Sequence, residues 1–101
     1  MYLGMHPIKI TVREKSWLAK VAAKKLGVSN VAFTLGHTIR LYNASAAEFL
    51  GDERWLRHEL KHVEQFRRYG FFTFIFKYSW ESIKKGYTNN KYEVEARAAE
   101  F

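Results

Sequence analysis

The sequence predicts an α+β fold in which a small antiparallel sheet in the N-terminal half packs against a helix carrying two histidines, an aromatic-rich helix and a C-terminal glutamate helix. Three observations predict it. Apolar residues alternate with a period of two at Ile8, Ile10 and Val12 and again within Val31 to Tyr42. From Asp52 onward they recur at helical spacing. At 101 residues, with 48% hydrophobic and 17% aromatic content and a single proline, the chain can bury one core but not two. Residues 1–101 are therefore expected to form one domain.

Ile8, Ile10 and Val12, interleaved with Lys9 and Thr11, read as a half-buried strand. Thr11 and Glu14 stand at capping-box spacing before a helix whose apolar positions are Trp17, Leu18, Val21, Ala22 and Leu26. Gly27 can end that helix, with Lys20, Lys24 and Lys25 on its solvated side. Val31, Phe33 and Leu35, then Ile39, Leu41 and Tyr42, predict two strands joined near Gly36 and His37. Asn43 to Leu50 reads as a connection with a helical turn capped by Ser45, and Asp52 as the N-cap of the next helix. That helix, Glu53 to Tyr69, repeats Trp55, Leu56, Leu60, Val63 and Phe66 and stops at Gly70. Phe71 to Lys85 repeats Phe72, Ile75, Phe76, Trp80 and Ile83, an aromatic-rich helix closed by Gly86 and followed by a turn over residues 87–90. Packing is the simplest use of this aromatic run, and its surplus also suits a face for a homodimer. Asn90 and Glu93 again stand at capping-box spacing, opening a last helix through Tyr92, Val94, Ala96 and Ala99.

Charge and composition remove several classes of function. No cysteine is present, so there is no disulfide framework and no thiolate metal site; any metal must use His and carboxylate ligands. Residues 1–10 lack the basic and apolar regions of a signal peptide. The run Phe71 to Trp80 is much shorter than the roughly 20 residues that span a bilayer and contains Lys77. A soluble, cytoplasmic protein without a transmembrane segment is expected. The net charge of +7 would attract polyanions or an anionic membrane surface. The pairs Lys24-Lys25, Arg67-Arg68 and Lys84-Lys85 read as solvated helix ends, however, and no base-reading module is visible, so a nucleic-acid partner is not expected.

The chemistry-bearing motif is His58-Glu59-Leu60-Lys61-His62. Residues four apart on a helix lie on nearly one face, so both imidazoles can converge on one zinc ion, while Glu59 can take a proton from water without being a ligand. A catalytic zinc needs a third protein ligand. No third histidine follows His62 at the metzincin offset, which leaves Glu93 and Glu95 on the last helix; two apart, they point about 200° away from each other, so only one can face the ion. Glu93 has a competing use as the capping partner of Asn90. His6, before a proline, and His37, in a turn, are assigned no role.

From Asp52 to Glu100 the chain resembles the minigluzincins, soluble minimal counterparts of the catalytic domains of membrane metallopeptidases. His58, Glu59 and His62 match their first motif, and Glu93 with Ala96 matches their glutamate helix. The resemblance implies a zinc-dependent peptidase with His58, His62 and Glu93 as ligands, Glu59 as general base, and a peptide or protein as substrate. It also implies that a strand upstream of the histidine helix, assigned to Thr38 to Tyr42, rims the cleft and aligns an extended peptide. Where many gluzincins carry an aspartate four residues after the ligand, to orient a histidine, this chain has Arg97. Tyr87, Asn89 and Tyr92 are the nearby polar candidates for stabilising an oxyanion. So small a catalytic core is compatible with a latent enzyme. The alternative is a basic regulatory module, associated with nucleic acid or membrane, that keeps a vestigial or structural zinc site.

Overall fold

The computed structural model describes residues 2–3, 6–7 and 10–101. Two short strands, β1 (Tyr2–Leu3) and β2 (His6–Pro7), pair with each other. The main sheet holds β3 (Thr11–Arg13), β4 (Val31–Leu35) and β5 (Thr38–Tyr42), with helix α1 (Trp17–Leu26) between β3 and β4. Helices α2 (Ala46–Gly51), α3 (Glu53–Tyr69), α4 (Phe71–Asn89) and α5 (Lys91–Ala98) complete an α+β chain.

The sheet is mixed rather than antiparallel. Its order is β3-β5-β4; β5 runs antiparallel to β4, Thr34 facing Ile39, but parallel to β3, Val12 facing Ile39. A tight turn at Gly36, whose φ of 67° suits glycine, folds β5 back into the gap between β4 and β3. Period-two alternation reports which face a side chain takes, not the direction of the neighbouring strand, so this arrangement was hidden in the sequence. Of the strand expected over residues 8–12, Ile8 and Lys9 lie outside the described residues.

Local hydrogen bonding explains most helix limits and revises one of them. Ser16, not Thr11, caps α1 by accepting from Ala19 N at 3.3 Å. Thr11 belongs to β3, and Glu14 instead accepts from Ala46 N at 2.6 Å, tying the entry of α1 to the start of α2. Ser45 and Glu48 form a reciprocal capping box on α2, and Asp52 caps α3 by accepting from Trp55 N at 3.1 Å. Gly86, at φ 77°, breaks the helical path of α4, as expected.

Two apolar clusters then position α3. Ala32, Ile39 and Leu41 of the sheet meet Phe49 and Val63. Phe66, Phe74 and Tyr92 form a second cluster that joins α3, α4 and α5, with the Phe74 ring 4.7 Å from Phe66 and 5.1 Å from Tyr92. The aromatic run of α4 divides between two environments: Phe74 is 2% exposed and Phe72 82%. Among the described residues no helix is long and apolar enough to cross a membrane.

Candidate metal centre

Helix α3 brings His58 and His62 onto one face, their ring centroids 5.1 Å apart. Burial of Tyr92 against Phe74, with the Asn90 side chain accepting from Tyr92 N at 2.9 Å, sets the first turn of α5 beside them. Glu93 thereby projects between the two histidines. Its Oε1 lies 3.1 Å from Nε2 of His58 and 3.2 Å from Nε2 of His62. Its Oε2 accepts from the Tyr78 hydroxyl.

The other ring nitrogens are also held. Nδ1 of His58 lies 2.8 Å from Glu100 Oε2, and Nδ1 of His62 lies 2.9 Å from Gln65 Oε1. A carboxylate only accepts, and the Gln65 amide nitrogen is already donating to Tyr92 O and Glu95 Oε1, so both Nδ1 atoms carry the proton. Charged imidazoles donate to Glu93 from Nε2 as well, and neutral ones held in this way would present both Nε2 lone pairs to a metal ion. Glu59 stands beside this group, its Oε1 accepting from the Thr34 hydroxyl at 2.8 Å and its Oε2 4.0 Å from His58 Nε2.

Proton affinities follow from this crowding. Burial lowers His58, but the hydrogen bond to Glu93, the Glu59 charge and the bond to Glu100 outweigh it and raise the group to about 9. His62 is raised as well, the same Glu93 and Glu59 effects exceeding its burial. Burial pushes Glu93 up, yet hydrogen bonds from both histidines and from Tyr78 hold it well below the usual carboxylate range. For Glu59 burial prevails, and its carboxyl titrates above the ordinary value although both histidines and Thr34 pull it down.

His58, His62 and Glu93 each offer a donor atom within 4.8 Å of the others. Zinc bonds of about 2.0–2.1 Å at the tetrahedral angle separate two donor atoms by about 3.3 Å. The 3.1 and 3.2 Å from Glu93 to the histidines are ordinary hydrogen-bond distances that are also compatible with that spacing, so the two imidazoles and one carboxylate are a donor set that could hold a zinc ion. The group opens onto a cleft of about 430 Å³ lined also by all five residues of β4, by Leu26 of α1, and by Ile75 and Tyr78 of α4.

The structure separates the sequence candidates. Glu95 is exposed and bonds Gln65, away from the histidines. The capping box of Asn90 with Glu93 is not formed: Asn90 caps alone, because the Glu93 carboxylate is taken by the histidines. Arg97 donates to Thr88 O, and the carboxylate that meets Nδ1 of His58 is that of Glu100. Tyr87 lines the cleft, whereas Tyr92 is core and Asn89 is not part of the cleft wall. β5 is the central strand, so the rim is formed by β4 rather than by Thr38–Tyr42. His37 is exposed in the hairpin turn, and the side chain of His6 lies outside the described residues. Thr34, Gln65, Tyr78 and Glu100 were missed; Gln65 had a signal, one helical turn beyond His62 on the same face.

Fold and site together define a small α+β domain with a donor set of two histidines and a glutamate supplied by two packed helices. The family model of the eCIS core domain matches residues 10–70, more than half of the chain, and the protein belongs to that family. The match takes in His58, Glu59 and His62 and ends before Tyr78, Glu93 and Glu100. The family is thus the eCIS core domain, and the likeness to minigluzincins rests on the motif residues alone. No curated protein and no solved structure matches the chain significantly.

Proposed function

We propose that this eCIS core domain is a zinc-dependent peptidase with a gluzincin-like ligand set, His58, His62 and Glu93, and Glu59 as general base. The observation that carries the reading is the convergence of two Nε2 atoms on one Glu93 oxygen, with a second buried carboxylate, Glu59, beside them and hydrogen-bonded to neither histidine. Bound there, zinc supplies Lewis acidity toward a carbonyl and brings the pKa of water to about 7.

The chain's own residues account for the remaining tasks. The Thr34 hydroxyl holds one Glu59 oxygen and leaves the other turned toward the histidines, within reach of a water molecule. Burial raises the proton affinity of that carboxyl, which suits a group that must accept a proton and then return it to the leaving amine. Among the described residues the outer edge of β4 has no strand partner, and an extended peptide can pair with it by strand addition. Tyr87, on the cleft wall, is the candidate donor to the developing oxyanion.

The test is hydrolysis of an unfolded protein substrate and of a mixed peptide library. Cleavage by the wild type, lost on chelation, restored by zinc and absent from Glu59→Gln, is the expected result. Cleavage that survives chelation excludes the reading.

A further inference from the structure

A histidine that binds metal through Nε2 works best when its Nδ1–H is held by an acceptor, which fixes the tautomer, aims the ring and makes the ligand more basic. The two histidines here are held unequally. His62 faces the neutral amide oxygen of Gln65, whereas His58 faces the Glu100 carboxylate at 2.8 Å. Glu100 lies just beyond α5, where its N–H donates to Arg97 O at 3.2 Å, and its carboxylate is only partly exposed. Its second oxygen meets the Arg54 guanidinium at 3.4 Å, and that guanidinium in turn lies 4.9 Å from the centre of the Phe101 ring. Glu100 sits on the Nδ1 side of the His58 ring, with Glu93 on the Nε2 side, so it supports the donor set without belonging to it.

We infer that Glu100 is the positioning residue of His58: its carboxylate, braced by Arg54, holds the imidazole as the Nδ1–H tautomer with Nε2 directed at Glu93. The inference rests on the zinc-site reading above. It assigns to a residue seven positions beyond Glu93 the task that Arg97 cannot perform. The turn that ends α5, with Glu100 N–H donating to Arg97 O, places Glu100 Oε2 2.8 Å from Nδ1 of the ring whose Nε2 lies 3.1 Å from Glu93. The charge matters as well as the acceptor. A carboxylate forms the stronger, charge-assisted hydrogen bond, so His58 should depend on its support more than His62 depends on Gln65.

The experiment is zinc titration of the full chain against a chromophoric chelator for wild type, Glu100→Gln and Glu100→Ala, with the ring nitrogen signals of His58 read by NMR in the zinc-loaded state. Glu100→Ala should weaken zinc binding by about 10–100-fold and broaden or shift the Nδ1–H signature of His58. Glu100→Gln, which keeps an acceptor oxygen and loses the charge, should fall between that variant and the wild type. A purely structural role would leave the tautomer signature unchanged and would not order the variants this way. Equal zinc affinity in all three proteins overturns the inference and leaves the zinc site standing. A wild type that takes up no zinc overturns the site and this inference together. Should Glu100→Ala fail to fold, Glu100→Gln decides alone: weakened binding with a native circular dichroism spectrum supports the assignment, and unchanged binding refutes it.

Discussion

Replacing Glu93 with alanine tests the ligand assignment and separates it from Glu95. The substitution removes one oxygen shared by two Nε2 atoms at 3.1 and 3.2 Å and another that accepts from Tyr78, all at a residue that is 4% exposed. Breaking a buried ion pair by deleting one partner costs about 3–5 kcal/mol. Both imidazoles can shed their protons once the carboxylate is gone and water can enter from the cleft, so metal-free Glu93→Ala should lose nearer about 2–3 kcal/mol, the cost of buried polar groups left without partners. Its zinc affinity should fall by more than the about 10–100-fold that removal of a supporting contact produces. Glu95→Ala deletes an exposed carboxylate whose partner Gln65 keeps its bond to Tyr92 O at 3.1 Å. A surface change of that kind shifts stability by about 0.5 kcal/mol, and because Glu95 touches none of the three proposed ligands the zinc affinity should stay near that of the wild type. Thermal melting of the metal-free variants gives the first quantity and chelator competition the second. Greater zinc loss in Glu95→Ala, or equal affinity in the two variants, would refute the reasoning.

Glu59→Gln should keep the fold and zinc uptake while abolishing hydrolysis, as an assay of metal content beside cleavage will register; full activity would dismiss Glu59 as the base. Because folding raises the Glu59 proton affinity, its charge is a burden at neutral pH, and metal-free Glu59→Gln should melt no lower than the wild type. The metal-free protein should also show a defined pH optimum of stability. Glu93 is depressed on folding, so its contribution is present above the ordinary carboxylate value and is lost as pH falls. His58 is raised to about 9, so its contribution is complete below about 6.5 and is lost as pH rises through 9. Denaturant midpoints of metal-free protein should therefore be highest between about pH 5 and 6.5 and decline toward pH 9; a midpoint still rising at pH 9 would contradict the charge assignments.

Much of this fold was legible because its helix limits are written in local chemistry. Asp52, Ser45, Gly27 and Gly70 act where caps and stops were expected, and His58 and His62 share a face because four residues make about one turn. What stayed hidden depends on contacts between distant segments. The parallel pairing of β3 with β5 follows from where β5 inserts, which alternation along a strand does not encode. That insertion also leaves β4, not β5, at the open edge beside the cleft. Thr11 and Glu14 had the spacing of a cap, but the sheet claimed one and α2 the other. Asn90 and Glu93 had that spacing too, and there a buried pair of histidines outcompeted a backbone N–H for the carboxylate. Tyr78 and Glu100 carried no visible signal, since each reaches the site only through the packing of α4 and α5 on α3.

The zinc reading is tested most directly by metal analysis at neutral pH, after incubation in excess zinc and removal of unbound ion, of the wild type beside His62→Ala. His62 is 6% exposed, with one ring nitrogen on Gln65 and the other on Glu93, so its loss takes one ligand from the proposed set and leaves two. The account predicts about one zinc per wild-type chain and little or none retained by the variant. A wild type that remains metal-free, or a His62→Ala protein that holds zinc as tightly as the wild type, would contradict it.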